Sequence, residues 1–312
     1  MTERVEGLFD DLLQRCTFPE AEPEPGQPDR VEQIVCGVSG GPDSMAMMVL
    51  ARAAGLEVLA VHVDHGLRDG SSDEAAIVAA AAARFGAAFE ARTATIPPGP
   101  NLEARARIAR HDVLGDQALL GHTADDQAET VLLHLMRGTG PEGLAAMSTV
   151  RHPILHLRRA ETEEVCRRVG IEPVRDPSNV DRQFRRNRVR GDLLPMLDAI
   201  AERDVVPLLA RTAELQRDAI AVLDALAVDI DPTDVRVLRE QPVGLARHVL
   251  RSWWRRETAS SYAPPSSAID RMLSVALGGA TSADVIDGWR IARRAGRLRL
   301  VPPGDRPLAA SG

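Results

Sequence analysis

The sequence contains no lysine; all 38 of its basic residues are arginine. A Walker A loop needs a lysine on the phosphates, and a pyridoxal phosphate enzyme needs one for its Schiff base, so both mechanisms are excluded. The abundance of Arg and Ala fits a GC-rich genome. Cysteine is scarce. Cys16, Cys36 and Cys166 lie far apart and no CxxC pair exists, which argues against a disulfide framework, a zinc site or an iron–sulfur cluster. No stretch approaches the ~18 consecutive apolar residues of a membrane span. The start of the chain carries Glu3, Glu6, Asp10 and Asp11 where a secretory signal would be basic and then apolar. The expectation is a cytoplasmic protein with no membrane partner.

With 312 residues the chain has room for about two domains, one of them large enough for a full α/β core. The net charge of −7 argues against a generally basic nucleic-acid binder, but the distribution matters more than the sum. Arg182, Arg185, Arg186, Arg188 and Arg190 crowd into nine residues, whereas Glu20 to Asp29 concentrates acid.

Along the chain, residues 1–16 read as a short helix, followed by a Pro/Glu segment expected to be a solvated, mobile loop. Val31–Val38 is an apolar strand and Met45–Ala54 an apolar helical stretch. Val58–Val63 is a second strand, and Ser71 with Glu74 has the spacing of a capping box opening an alanine-rich helix. A third strand falls near Ala88–Thr95, a helix capped by Asn101 reaches about Leu114, and Leu119-Leu120 ends a short strand. Alternation of strand and helix predicts an α/β fold with a parallel sheet flanked by helices. From about residue 151 the alternation stops and an arginine-rich helical connector follows. Ala201–Leu226, Pro242–Arg256 and Ser266–Leu277 read as helices, and Asp284–Val301 as a hairpin around Arg294-Ala295-Gly296. The organisation expected is a leading segment 1–30, a catalytic domain 31–200, and a smaller, mainly helical domain 201–312.

Three motifs fall at expected strand ends, where parallel sheets bind ligands. Ser39-Gly40-Gly41-Pro42-Asp43-Ser44 lies between a strand and a helix. Its glycines allow close backbone approach to an anion, and the helix N-terminus offers free amides for phosphate. Asp43 beside phosphates makes sense as a Mg²⁺ ligand; as structure alone it would be a helix cap. Gly121-His122-Thr123-Ala124-Asp125-Asp126-Gln127-Ala128-Glu129-Thr130 opens another helix, where the aspartates are favoured by the helix dipole whatever their function. His62-Val63-Asp64-His65-Gly66-Leu67-Arg68 ends the second strand; two capped histidines and a metal pair are both open readings. Further on, Asp176-Pro177-Ser178-Asn179 precedes Arg186-Asn187-Arg188-Val189-Arg190. These arginines can grip phosphates and Asn187 a base edge, or the run is only a solvated face. Trp253-Trp254 reads as core more readily than as a base-stacking platform.

The hexapeptide 39–44 resembles the pyrophosphate loop of N-type ATP pyrophosphatases, a Rossmann-like family that adenylates carbonyl oxygens. The GHxxDDxxET pattern at 121–130 is similar to that shared by lysidine synthetases and tRNA 2-thiocytidine synthetases. Asn101-Leu102-Glu103 with Arg107 and Arg110 resembles a helix of the lysidine synthetases, with His111 replacing the usual tyrosine. The DPSN and RNxxR segments resemble that family specifically, and the missing CxxC separates this chain from the thiocytidine enzymes. The resemblance implies ATP and Mg²⁺ as cofactors, the CAU-anticodon isoleucine tRNA and free L-lysine as substrates, and a tRNA-binding C-terminal domain. It further implies that Ser39, Gly40, Gly41, Pro42, Asp43, Ser44, His62 and Gly121 bind ATP. Asp43 with Asp125 or Asp126 would hold the metal, His122 and Arg107 would act at the reacting centre, and Arg186, Asn187, Arg188 and Arg190 would contact RNA. Monomer and homodimer both stay open. The alternatives are a related ATP pyrophosphatase acting on a small molecule or another tRNA base, and a non-catalytic nucleotide sensor.

Overall fold

The computed structural model describes residues 7–20, 23–24, 27–64, 71–97, 99, 102–174, 181–258 and 264–304. The chain divides into two compact units, Met1–Gln216 and Arg217–Gly312.

The first unit begins with α1 (Asp10–Leu13) and an antiparallel ribbon of β1 (Pro23–Glu24) and β2 (Gln27–Val31). Strands β3 (Gln33–Gly37), β4 (Glu57–Asp64) and β5 (Ala88–Thr93) then alternate with α2 (Pro42–Ala53), α3 (Ser71–Phe85) and α4 (Leu102–Leu114). β6 (Leu119–Leu120) leads into α5 (Ala124–Leu135), followed by α6 (Pro141–Leu144) and α7 (Arg159–Arg168). α8 (Arg185–Arg188), one turn of π-helix over Val189–Leu193, α9 (Leu194–Ala201) and α10 (Val206–Ala227) close the series.

The sheet order is β5-β4-β3-β6, all parallel, with Val35 opposite Leu59 and Cys36 opposite Leu119. The chain builds outward from β3 to β4 and β5, then returns to the other side of β3 with β6. That reversal is the topological switch point of an open α/β sheet, and the crevice it creates lies beyond the carboxyl ends of β3 and β6. The 39–44 and 121–126 segments leave the sheet at those ends. α2 explains why the crevice is firm. Every residue from Ser44 to Ala51 is buried, so this helix is enclosed on all sides by the core rather than amphipathic.

The second unit contains α11 (Val235–Glu240), α12 (Val243–Thr258), α13 (Ser266–Leu277) and an antiparallel sheet of β7 (Ser282–Asp284), β8 (Arg290–Arg294) and β9 (Arg297–Val301). Leu238, Leu250, Ile269, Met272 and Ile291 form its core. Trp253 and Trp254 are both buried there, and Trp254 meets Trp289 edge-on at 5.8 Å, so neither α12 tryptophan is presented for base stacking. The β8–β9 turn carries positive φ at Ala295 and Gly296, the geometry of a tight hairpin.

Several boundaries moved. The Pro/Glu segment expected to be loop contributes the β1–β2 ribbon, and Val31 ends β2 instead of starting β3. The helix expected from Ala201 begins at Val206, because Glu202 caps α9 in a left-handed conformation. α11 and β7 were not foreseen; at 6 and 3 residues they are too short to show periodicity. His65 to Arg68, Asn101 and Asp176 to Asn179 lie outside the described residues. Among the described residues, no helix is long and apolar enough to cross a membrane.

Leu250 is fully buried in the second core, so Leu250→Ala should lower the stability of this unit by about 2–5 kcal/mol. Urea unfolding checks this, and a loss below ~1 kcal/mol would mean that the site collapses around the cavity.

Candidate active site

The loop after β3 is closed by its own side chains. The Ser44 hydroxyl donates to the Gly41 carbonyl at 3.0 Å and accepts the Ser39 amide at 3.1 Å. Ser39 Oγ lies 3.2 Å from Ser44 Oγ. Ser44 is buried and holds the turn, whereas Ser39 is exposed. Gly40 has φ +88°, and an added Cβ would stand 2.8 Å from Val174 Cγ2, so both conformation and space require glycine. The Val174 amide in turn donates to the Gly40 carbonyl at 2.9 Å. Pro42 is the first residue of α2 after Gly41, where its missing N–H costs nothing. His62 supports the turn from below: it is buried in β4, and its Nδ1 is 2.9 Å from the Val38 carbonyl.

The second motif packs directly on the first. A Cβ on Gly121 would stand 2.7 Å from both the Asp43 carbonyl oxygen and Ser44 Cα, so only glycine lets the β6–α5 turn approach this closely. Thr123 is the N-cap of α5, and Asp126 Oδ2 accepts its amide at 3.0 Å and its hydroxyl at 3.1 Å. Capping thus consumes one oxygen of Asp126 and leaves Oδ1 for cations.

Those cations arrive on a later segment fastened along the same edge. The Gln127 side chain bonds both the carbonyl and the amide of Met147, Leu120 N donates to Arg151 O at 2.8 Å, and Ala124 N donates to Leu157 O at 2.8 Å. The chain therefore delivers Arg158 and Arg159 to the crevice. Arg159 reaches Asp126 Oδ1 at 3.0 Å, Glu129 Oε1 at 3.4 Å and Asp43 Oδ2 at 3.6 Å. Arg158 pairs with Asp125 at 3.1 Å and with Asp204, and the Arg159 amide donates to Asp125 at 2.8 Å. Arg186 and Arg190 both place Nε 2.6 Å from Glu129, whose carboxylate is completely buried, and extend toward Asp126 Oδ1 at 3.4 and 3.8 Å.

The electrostatics separate the acids. Burial pushes the Asp126 carboxyl up, but Arg159, Arg186 and the Thr123 amide outweigh it and bring it down to about 2. Asp43 goes the other way. Burial and the Asp126 charge raise it to about 6 against the Thr162 hydroxyl, Arg159 and Arg190. Asp43 and Asp126 converge on the Arg159 guanidinium, so their oxygens are the ones that could hold a hard divalent cation. Asp125 does not share in that arrangement, since Arg158 and the start of α7 occupy it. Among the described residues no group of three or more His, Cys, Asp or Glu is placed to hold a metal alone. A two-carboxylate site completed by phosphate oxygens is the usual Mg²⁺ pattern. His122 is brought down to about 3, mainly by burial, so it is neutral. Its Nδ1 is buried with no hydrogen-bond partner among the described residues, and its ring lies 4.8 Å from His152. Burial, with Asp43 nearby, pushes the Cys166 thiol up to about 12, which removes it as a nucleophile.

Of the residues singled out from sequence, Ser39 to Ser44, Gly121, His122, Asp126, Arg186 and Arg190 come together. Arg107 is exposed on α4 near Arg110, whose guanidinium is pushed down by burial and by Arg107 and Arg186. Asn187 donates to the Asp181 carbonyl at 2.8 Å, and Arg188 is exposed. Glu129, Arg158, Arg159 and Thr162 had no assigned role. The signal for Glu129 was in the motif itself, an acid four residues beyond Asp125 on one face of α5. Arg159 gave none, because cations are disfavoured at a helix N-terminus.

A model of the PP-loop domain matches residues 18–197. A tRNA(Ile)-lysidine synthase from Nocardia farcinica is 38% identical over 303 residues, covering 88% of this chain and 93% of its own. The enzyme of that name from Rhodococcus jostii is 37% identical over 294 residues, covering 86% and 89%. That from Cutibacterium acnes is 35% identical over 293 residues, covering 86% and 91%.

Gly121→Ala should force the two motifs apart and reduce ATP turnover by about 100-fold while leaving the second unit folded; turnover within twofold of wild type would show that the contact is dispensable. Asp43→Asn should stabilise the protein. The folded carboxyl titrates near 6 and the ordinary value is 3.8, so its favourable contribution is complete below 3.8 and is lost as pH rises through 6. At pH 7.5 the neutral variant should gain about 3 kcal/mol, and at pH 4 less than about 1 kcal/mol. Melting curves at the two pH values test the sign.

Proposed function

We infer the activity from one premise: this chain belongs to the tRNA(Ile)-lysidine synthase family, and its first unit carries the PP-loop domain. The enzyme ligates lysine to C2 of the wobble cytidine in the CAU-anticodon isoleucine tRNA. The C2 oxygen attacks the α-phosphorus of ATP, the α–β phosphoanhydride bond breaks and pyrophosphate leaves. The ε-amine of free lysine then adds at C2, the C2–O bond breaks, AMP carries the oxygen away, and the amine loses a proton. Adenylation is needed because a ring carbonyl oxygen leaves poorly and AMP leaves well.

The observation that carries this reading is the contact of Gly121 with the backbone of Asp43 and Ser44 at the switch point. It joins an anion-binding turn to a cluster of acids and arginines in one crevice. The backbone amides of Gly41, Asp43 and Ser44, at the N-terminus of α2, bind the triphosphate with the Ser39 hydroxyl. Mg²⁺ held by Asp43 and Asp126 would neutralise charge on the phosphates. His122, neutral and with an unpartnered Nδ1, faces the activated base as a hydrogen-bonding group, not as a cation. Arg107 stabilises negative charge on the reacting phosphate. Arg186 and Arg190, fixed by Glu129, form the wall against which the cytidine is held, while Arg188 and Asn187 meet the RNA.

The second unit supplies tRNA contact in the cytoplasm. Residues 217–312 hold 14 arginines against 11 acidic residues, a net +3, whereas residues 1–216 hold 24 against 34, a net −10. On one face of the C-terminal sheet, Arg294 stands directly opposite Arg297 and Arg299 opposite Ala292. Arg297 is balanced by Asp231 and by Asp234 at 3.7 Å, so it is the net positive charge of the unit that suits a phosphate backbone.

Labelled lysine should enter a CAU-anticodon isoleucine tRNA transcript only with ATP and Mg²⁺. Asp43→Ala should reduce incorporation by at least about 100-fold. Pyrophosphate release without tRNA, and no label in the transcript, would replace this reading with a small-molecule synthetase.

A further inference from the structure

We propose that Arg159 is a positioning residue that holds the place of the divalent cation between Asp43 and Asp126 and yields it only to metal arriving with nucleotide. The proposal rests on the reading of Asp43 and Asp126 as the cation pair. One guanidinium bridges three carboxylates, Asp43, Asp126 and Glu129, at 3.6, 3.0 and 3.4 Å. It does so from the first residue of α7, where the helix dipole disfavours a cation. The carboxylates, not the local helix, keep it there.

Charge balance decides what can displace it. Asp43, Asp126 and Glu129 face Arg159, Arg186 and Arg190, three negative charges against three positive. Asp126 and Glu129 each keep two further arginines if Arg159 leaves. Among the described residues, the ion pair of Asp43 is with Arg159. A bare divalent ion entering this neutral cluster would leave it with excess positive charge in a poorly solvated crevice. Metal carried by a triphosphate brings its own negative charge, and it offers the released guanidinium phosphate oxygens in a fork geometry.

The backbone around Arg159 is built to stay still during the exchange. Its amide donates to Asp125 at 2.8 Å, and its carbonyl accepts the Thr162 hydroxyl at 2.8 Å. The same hydroxyl lies against Asp43. Only the side chain, about one-fifth exposed, has to turn from carboxylate to phosphate.

Mn²⁺ titrated into the full-length protein and followed by electron paramagnetic resonance tests the proposal without turnover. Wild type should bind Mn²⁺ about tenfold more tightly with a non-hydrolysable α,β-methylene ATP analogue than without it. Arg159→Gln should bind Mn²⁺ without nucleotide about tenfold more tightly than wild type, because Asp43 has lost its counter-ion. Arg159→Lys, which keeps the charge, should match wild type in that measurement. Equal Mn²⁺ affinity in wild type with and without the analogue, or no gain in Arg159→Gln, overturns the proposal. Absence of Mn²⁺ binding even with the analogue would instead remove the cation pair itself, and the role of Arg159 with it.

Discussion

Glu129 has no solvent exposure, and a carboxylate so placed persists as an ion only with cations in direct contact. Arg159, Arg186 and Arg190 meet that requirement from segments 30 to 61 residues further along the chain. The need of one buried acid thus gathers the start of α7, Arg186 of α8 and Arg190 of the turn after it onto α5. The turn of π-helix at Val189–Leu193 belongs to the same arrangement. It follows directly on α8, and Arg186 and Arg190 nevertheless reach the same carboxylate. Single π turns inside helices often occur where a side chain must be re-aimed for function.

Structural and functional readings of a residue are often treated as rivals, and Asp126 shows why they need not be. Its Oδ2 closes the cap with Thr123, as any acid in the first turn of a helix can do. Its Oδ1 takes Arg159, Arg186 and Arg190. The cap fixes the side-chain rotamer, and the fixed rotamer aims the second oxygen into the crevice. Ser44 divides the labour differently. Both its donor and its acceptor capacity close the turn, whereas the Ser39 hydroxyl, 3.2 Å from it, belongs to an exposed residue. The same separation applies to the acids. Asp125 is committed to Arg158 and the α7 backbone, whereas Asp43 and Asp126 converge on the Arg159 guanidinium.

The parallel sheet, the motifs at its strand ends and both glycine-bearing turns were legible because each depends on local chemistry. Apolar runs of strand length, a Gly-Gly turn before a helix and a Thr–Asp cap are all decided within a few residues. What stayed hidden was set by partners distant in sequence. Nothing local distinguishes Arg158 and Arg159 from other arginines of an Arg-rich connector, since their meaning comes from Asp125, Asp126 and Glu129 more than 25 residues earlier. The inward turn of Arg186 and Arg190 was hidden for the same reason: a dense basic run reads as a surface. Of Trp253 and Trp254 one was readable as core, and both are buried. β7 was missed because a three-residue strand has no pattern of its own and exists only by pairing with β8.

A polyanionic substrate and a first unit of net charge −10 are incompatible only if charge acts at long range. At physiological salt the Debye length is about 8 Å, so acids further away than this barely oppose an approaching phosphate. The acids nearest the chemistry are also not free. Asp43, Asp125, Asp126 and Glu129 are each paired with arginine. What RNA would meet locally is the exposed Arg185 and Arg188 of α8, together with the net positive charge of the second unit. Pairing the acids inside the crevice therefore does two things. It allows a carboxylate cluster to exist in a buried site, and it leaves little net negative charge there to oppose a polyanion.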